Sequence, residues 1–268
     1  IMPVIRVRDV DLFYTDEGVG EAVLFIHGLT WDHTLFDAQV VALKERYRCI
    51  AVDLIGHGQS GDLDRDYSFF DLADYMDGLL GALGIESAHV AGLSMGGMTA
   101  MPLALTHPGR VRSLVLLDTD AGPEAPERAA GYEQLAAVAL QQGWAPVAEP
   151  VVGILFGAPF LADPGHKQWA IEKLSSSRPE GVARALKTVV TREGILDRLG
   201  AIGVPTTVVV GELDVATTPD KAEAMAAAIP NATLVRIPDA GHHSPIEQPE
   251  AVTAAIVAHL ERAAVATR

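Results

Sequence analysis

One cysteine in 268 residues takes disulfides out of consideration: Cys49, in the apolar run YRCIAVD, has no partner within the chain and reads as a buried structural thiol. Basic residues are scarce beside acidic ones, 20 Lys and Arg against 35 Asp and Glu for a formal charge of -15, and no basic run interrupts the chain. A nucleic-acid groove or an anionic membrane surface would need such clusters, so neither is expected as a partner. No apolar run reaches the length of a membrane span, and the charges at Arg6, Arg8, Asp9 and Asp11 leave no place for a secretory apolar segment. The cytoplasm is therefore the expected compartment, with Met2, after Ile1, as the expected natural start. There is no H-E-x-x-H, no Cys/His pair at ligand spacing and no phosphate-binding loop, so neither a metal nor a cofactor is expected. Internal repeats and low-complexity tracts are missing as well.

What is present is a rhythm of strands and helices. Hydrophobic residues make up 49% of the chain, enough to bury a sizeable α/β core. Residues 4–15 alternate apolar and polar side chains around a turn near Arg8 to Asp11, which suits an edge hairpin with one solvated face. The continuous runs AVLFIH (22–27) and CIAVD (49–53) suit strands buried on both faces, and the helical spacing of Leu35, Phe36, Val40, Val41 and Leu43 lies between them. Strand, helix, strand implies a parallel sheet. A helix is expected from about Ser68 to Leu83, and another buried strand at 111–120. From about Ala121 to Gly200 the rhythm breaks into successive helices, near 124–142, 146–156, 164–176 and 179–191, punctuated by prolines. Strands then return at 206–214 and 233–243, each followed by a helix. The expected partition is a core of residues 1–120 and 201–268 with an inserted helical segment of 121–200.

The stretch AHVAGLSMGGMTAMPLALTH (88–107) reads as a strand, a sharp turn at Ser94 and a helix ending before Pro108. Its G-x-S-x-G, Gly92 to Gly96, is the pattern of a nucleophile elbow, which holds a serine in strained backbone geometry with its oxygen clear of the sheet. Side chains at positions 92 or 96 would collide with neighbouring backbone. The N–H groups opening the helix, Met95 among them, face the space before Ser94, where negative charge would develop during attack on a carbonyl. The backbone N–H of Leu29, just past His27 and Gly28, is expected to complete that oxyanion hole with Met95.

A serine hydroxyl needs a base and a group to orient the base. Asp214 follows a buried run at the carboxyl edge of the sheet, and His242 sits in the loop after the last expected strand; serine, acid, histidine is the chain order that goes with the elbow. Asp118, also at a strand end, is the alternative acid, and His243 the alternative base. His27 and His57 are expected to brace loops, and His89, His107, His166 and His259 to lie at the surface or at helix ends. Trp31, His33, Trp144, Phe156, Phe160 and Trp169 are expected to line a mainly apolar substrate cavity, packing within the insertion's own core being the alternative for each. Arg128, Lys167, Arg178 and Arg184 are expected on the solvated surface, a substrate carboxylate being the other reading.

FIHG, DLIGHGQS, GLSMGG, GELD and DAGHHSPIEQPE, taken in this order, resemble the α/β-hydrolase fold superfamily over nearly the whole chain. The resemblance implies an eight-stranded, mostly parallel sheet flanked by helices, with residues 121–200 as a helical cap over the active site. GLSMGGM in particular is similar to small bacterial carboxylesterases and 3-oxoadipate enol-lactone hydrolases. It implies a serine hydrolase taking a small carboxylic ester or lactone through an acyl-enzyme, with water as the second substrate. Carbon–carbon bond hydrolysis of a diketone or perhydrolysis would use the same residues, and a ligand-binding receptor of this fold would turn over slowly or not at all.

Overall fold

Strands whose successive side chains are all apolar need cover on both faces, and the chain supplies it. The computed structural model describes residues 3–266; Ile1 and Met2, where the natural start was expected, lie outside the described residues. Among these residues eight strands form one sheet: β1 (Val4–Val7), β2 (Val10–Glu17), β3 (Glu21–Ile26), β4 (Tyr47–Val52), β5 (Ala88–Leu93), β6 (Val111–Leu117), β7 (Thr206–Gly211) and β8 (Thr233–Ile237). Their order is β1-β2-β4-β3-β5-β6-β7-β8; β2 runs antiparallel to both of its neighbours and every other pairing is parallel.

Period-two alternation divides the core into two layers. Leu24 and Ile26 of β3 join one layer, with Leu72, Tyr75 and Met76 of α2 (Phe69–Ala82) and Met101 of α3 (Met95–Thr106). Val23 and Phe25 face the other, with Val40 and Leu43 of α1 (Asp37–Leu43) and Ile256 and Leu260 near the C-terminus. Helix α2 starts where expected because Ser68 and Asp71 form a reciprocal capping box.

Between β6 and β7 lies the helical insertion: α4 (Pro126–Gln142), α5 (Ala148–Leu155), α6 (Ala158–Leu161), α7 (Pro164–Ser175) and α8 (Pro179–Val190). Pro126, Pro164 and Pro179 open their helices, where a missing N–H costs nothing. Four of the five helices fall within two residues of the expected bounds; α6, at four residues, is too short to show a period. Cations of the insertion tie it to acids of the core, Lys173 to Asp32 at 2.6 Å, Arg184 to Asp62 at 3.4 Å and Arg192 to Asp120 at 3.2 Å. Arg178 donates to the carbonyls of His57 and Ser60, so it and Arg184 bind the insertion down rather than stand free in solvent. After β7 come α9 (Pro219–Ala228), then α10 (Ser244–Glu247) and α11 (Pro249–Ala266) beyond β8.

Two histidines expected at the surface are buried. The Ser113 hydroxyl stands 2.7 Å from both His89 Nδ1 and His259 Nε2, and His259 Nδ1 lies 2.8 Å from the Thr207 hydroxyl. These partners come from β5, β6, β7 and α11, and their convergence satisfies ring nitrogens that would otherwise be costly to bury. Burial, helped by the nearby Arg262 charge, pushes the His259 pKa down to about 3. The unfolded chain takes up that proton near the ordinary value of about 6.5, so acid favours unfolding; lowering pH from about 7 to 5 should cost about 2 kcal/mol through this residue alone. His259→Gln is expected to remove that part of the pH dependence. Denaturant melts of both proteins at the two pH values check it, and an unchanged difference between them would rule the contribution out.

Candidate functional site

The strand-to-helix turn sits where β5 gives way to α3. Ser94 has φ 51° and ψ -114°, a conformation rarely taken by a residue with a side chain. The glycines around it are there for space. A Cβ on Gly92 would lie 2.4 Å from the Gly96 carbonyl oxygen, and one on Gly96 would lie 2.0 Å from that of Ile26. The turn is fixed from outside as well: the Ser94 N–H donates to the Leu117 carbonyl, and the Thr119 hydroxyl donates to the Ser94 carbonyl at 2.7 Å. Thr119 carried no signal in the sequence, since its contribution exists only once β6 lies beside β5.

Asp214 and His242 come together because two loops touch. A Cβ on Gly211 would fall 2.2 Å from the Gly241 carbonyl oxygen, so glycine there lets the loop after β7 run against the loop after β8. His242 Nδ1 lies 2.8 Å from Asp214 Oδ2. The other donors to Asp214 are local: the N–H groups of Ala216 and Thr217 reach Oδ1 and the Thr217 hydroxyl reaches Oδ2 at 2.7 Å. Burial alone would raise the Asp214 pKa, but the His242 charge, the bond to it and the Thr217 donors hold it below the ordinary carboxylate range. For His242 burial works downward, yet the Asp214 charge and hydrogen bond, with Asp118 and Glu247 behind them, bring the net shift upward.

Asp118 is a different kind of carboxyl. It is fully buried, accepts from the Gly211 N–H at 2.7 Å and is bonded to the Ser244 hydroxyl. Burial first and the Asp214 charge second drive its pKa far upward. The two acids are thus pushed apart by their surroundings, the one bonded to the imidazole downward and the one behind it upward.

His243 points elsewhere. Its ring is buried edge-on against Trp31 and Phe156, with centroids 4.7 and 4.9 Å away, and among the described residues neither ring nitrogen has a hydrogen-bond partner. Glu247, which sequence reasoning passed over, braces this loop: its carboxylate accepts from the N–H groups of Gly157, Gly241 and His243, linking the insertion to the histidine loop. His27 behaves as expected of a brace, Nε2 accepting from the Leu54 N–H at 2.9 Å while Nδ1 lies 2.7 Å from the Gly28 carbonyl.

Ser94 and His242 line one mainly apolar cavity of about 100 Å³, with Leu29, Leu155, Leu186 and Thr217 among its walls. Of the six residues expected to line it, Trp144 does. Trp31, Phe156, Phe160 and Trp169 instead pack on one another outside it, with ring centroids 4.9 to 6.4 Å apart. His33 is engaged by Asp53, its Nδ1 2.7 Å from the carboxylate. Aliphatic side chains of α5 and α8 form the roof in their place, and Arg128 reaches the cavity from α4, bonded to the Tyr132 hydroxyl and the Ala216 carbonyl, so it is not the solvated residue expected. Among the described residues no acceptor takes the N–H of Leu29 or of Met95. Asp32, His33 and Asp53 bring three potential ligand atoms within 4.8 Å of one another, each already engaged, by Lys173, by Asp53 and by the Gln59 N–H respectively. No helix of the described chain is long and apolar enough to cross a membrane.

This arrangement has relatives. The 3-oxoadipate enol-lactonase 1 of Acinetobacter baylyi is 30% identical over 244 residues, covering 85% of this chain and 84% of its own. A thermophilic esterase from Thermogutta terrifontis, solved with malate bound, superposes with a TM-score of 0.91 at 34% identity, over 97% of this chain and 98% of its own. The enol-lactonase from Burkholderia xenovorans LB400 gives 0.90 at 28% identity, over 97% and 100% of the two chains. The alpha/beta hydrolase fold family model matches residues 21–249, and with the sheet order and the elbow described above the chain belongs to that family.

Proposed function

We infer that the protein is a serine hydrolase that cleaves a small carboxylic ester or lactone through an acyl-enzyme on Ser94. The observation that carries this reading is that the Ser94 and His242 side chains line the same cavity while His242 Nδ1 is tied to Asp214. An Nδ1–H donated to the carboxylate leaves Nε2 as the free base. His242 takes the Ser94 proton as the oxygen attacks the carbonyl, the N–H groups of Leu29 and Met95 hold the oxyanion, and the imidazolium protonates the leaving alkoxide. Water, deprotonated by the same imidazole, then releases the acid and restores the serine. Residues 1–120 and 201–268 act as the catalytic core in this reading and residues 121–200 as the cap; the similarity to an esterase and to enol-lactonases supports the ester or lactone class.

Turnover of a panel of p-nitrophenyl esters and lactones, with each product identified, tests the reading. Acid plus alcohol should appear over many turnovers; cleavage of a carbon–carbon bond alone, or binding without turnover, would overturn it. Because His242 must be neutral to act as base and its pKa is shifted upward, activity should rise with pH through a midpoint above the ordinary imidazole value of about 6.5. A kcat/KM profile measured across that range checks this, and a His242→Ala protein with full activity and the same profile would remove the residue from the mechanism.

A further inference from the structure

A second cavity, of about 280 Å³, lies on the other side of Met98. Met98 lines both this cavity and the one holding Ser94 and His242, and no other residue does. It stands one helical turn beyond Ser94, its N–H bonded to the Ser94 carbonyl, and its side chain is nearly fully buried between the two spaces. The division continues along α8, where Leu186 and Val189 face the first cavity and Thr188 faces the second. At about 100 Å³ the first falls well short of the roughly 300 Å³ at which ligand pockets usually begin, and only the two together pass it.

The second cavity has aromatic and aliphatic walls, Tyr67, Phe69, Phe70, Met101 and Ile195. Its inner polar groups are already engaged, Arg192 on Asp120, Glu124 and the Gly122 carbonyl and the Thr188 hydroxyl on the Tyr67 carbonyl, while Ser68, Thr191 and Glu193 stand at its exposed rim. A polar or charged group placed past that rim would meet groups already paired, whereas an alkyl chain would strip no hydrogen bond. The partition itself is the most adaptable side chain available, an unbranched thioether with three rotatable bonds.

We propose that the second cavity is the distal part of the substrate site, entered past a movable Met98, and that it takes an aliphatic limb too long for the catalytic cavity. This rests on the ester or lactone reading for its chemistry, though not for its geometry. A rotation of the Met98 side chain joins the spaces, so the reacting carbonyl stays before Ser94 while the chain runs between α8 and the start of α2.

The test narrows the far space or stiffens the partition. Thr191 lines the second cavity at its exposed rim, so Thr191→Trp fills it from the end away from Ser94; Met98→Ile replaces a swinging side chain by a branched, stiff one. Each variant should lower the ratio of kcat/KM for p-nitrophenyl octanoate over p-nitrophenyl acetate about fivefold or more if the acyl limb uses the cavity. If the alcohol limb uses it, the ratio for octyl acetate over ethyl acetate should fall instead. Both ratios unchanged in folded variants would overturn the proposal. Calorimetric titration with 1-octanol reads the same space without turnover, and Thr191→Trp should weaken that binding about tenfold; equal binding by both proteins counts against it. A wild-type protein that hydrolysed none of these esters yet showed the octanol difference would sink the ester reading and leave the second cavity standing.

Discussion

Ser94→Ala is expected to lower kcat on any accepted ester by about three to six orders of magnitude while substrate binding stays nearly unchanged, a loss of roughly 4–8 kcal/mol of transition-state stabilisation. The size follows from what the residue is held for. Its backbone is kept at positive φ by the close packing of Gly92 and Gly96 and by bonds from Thr119 and to Leu117, none of which involves the hydroxyl. Alanine should therefore keep the turn, the cavity and the two free N–H groups, and lose only the nucleophile. Residual activity would come from the oxyanion site and from positioning of water. The measurement is single-turnover and steady-state hydrolysis of one p-nitrophenyl ester by purified wild-type and variant proteins of matched melting temperature. A variant keeping more than about a tenth of the activity, in preparations free of contaminating hydrolase, would remove Ser94 from the chemistry.

The elbow was legible because its constraint is local. Glycine at 92 and 96 and a serine between a buried strand and a helix are demands of one turn, and the backbone clashes that a Cβ would meet there are what the pattern encodes. The parallel core was legible for a similar reason, each both-face-buried strand being a continuous apolar run. The pocket was not. Whether Trp31 or Trp144 faces the cavity depends on how the insertion's helices rotate on the core, and both are equally apolar in a string of letters. Trp31, Phe156, Phe160 and Trp169 pack on one another where the helical insertion meets the loop after β3, leaving mainly aliphatic side chains to line the cavity. His89 and His259 were misplaced because what permits their burial is the Ser113 hydroxyl, 24 and 146 residues distant. Glu247 is similar: an acid in a loop looks solvated until three backbone N–H groups are found converging on it.

The two candidate acids can be told apart by how each would respond to the same small change. Asp214 makes the direct bond to His242 Nδ1 with its pKa held below the ordinary range, so in the proposed mechanism its negative charge favours the imidazolium and fixes the tautomer. Asp214→Asn keeps the shape, removes the charge and can offer an N–H where an acceptor is needed. The expected cost is on the order of 10⁴ in kcat, and the acidic limb of the pH profile should move downward, because the charge that raises the His242 pKa has gone. Asp118 is pushed the other way and makes no bond to His242; its two bonds, accepted from the Gly211 N–H and the Ser244 hydroxyl, join β7 to the start of α10 behind the histidine loop. An asparagine there keeps the shape: its carbonyl can accept from Gly211 and its amide can donate to the Ser244 oxygen. Asp118→Asn should therefore cost about tenfold or less, with a smaller shift of the pH profile than Asp214→Asn gives. Assayed side by side on one ester, with folding checked by melting temperature, the reverse ordering of activities would place the acid at the end of β6 and reduce Asp214 to a brace for the loop that carries Thr217.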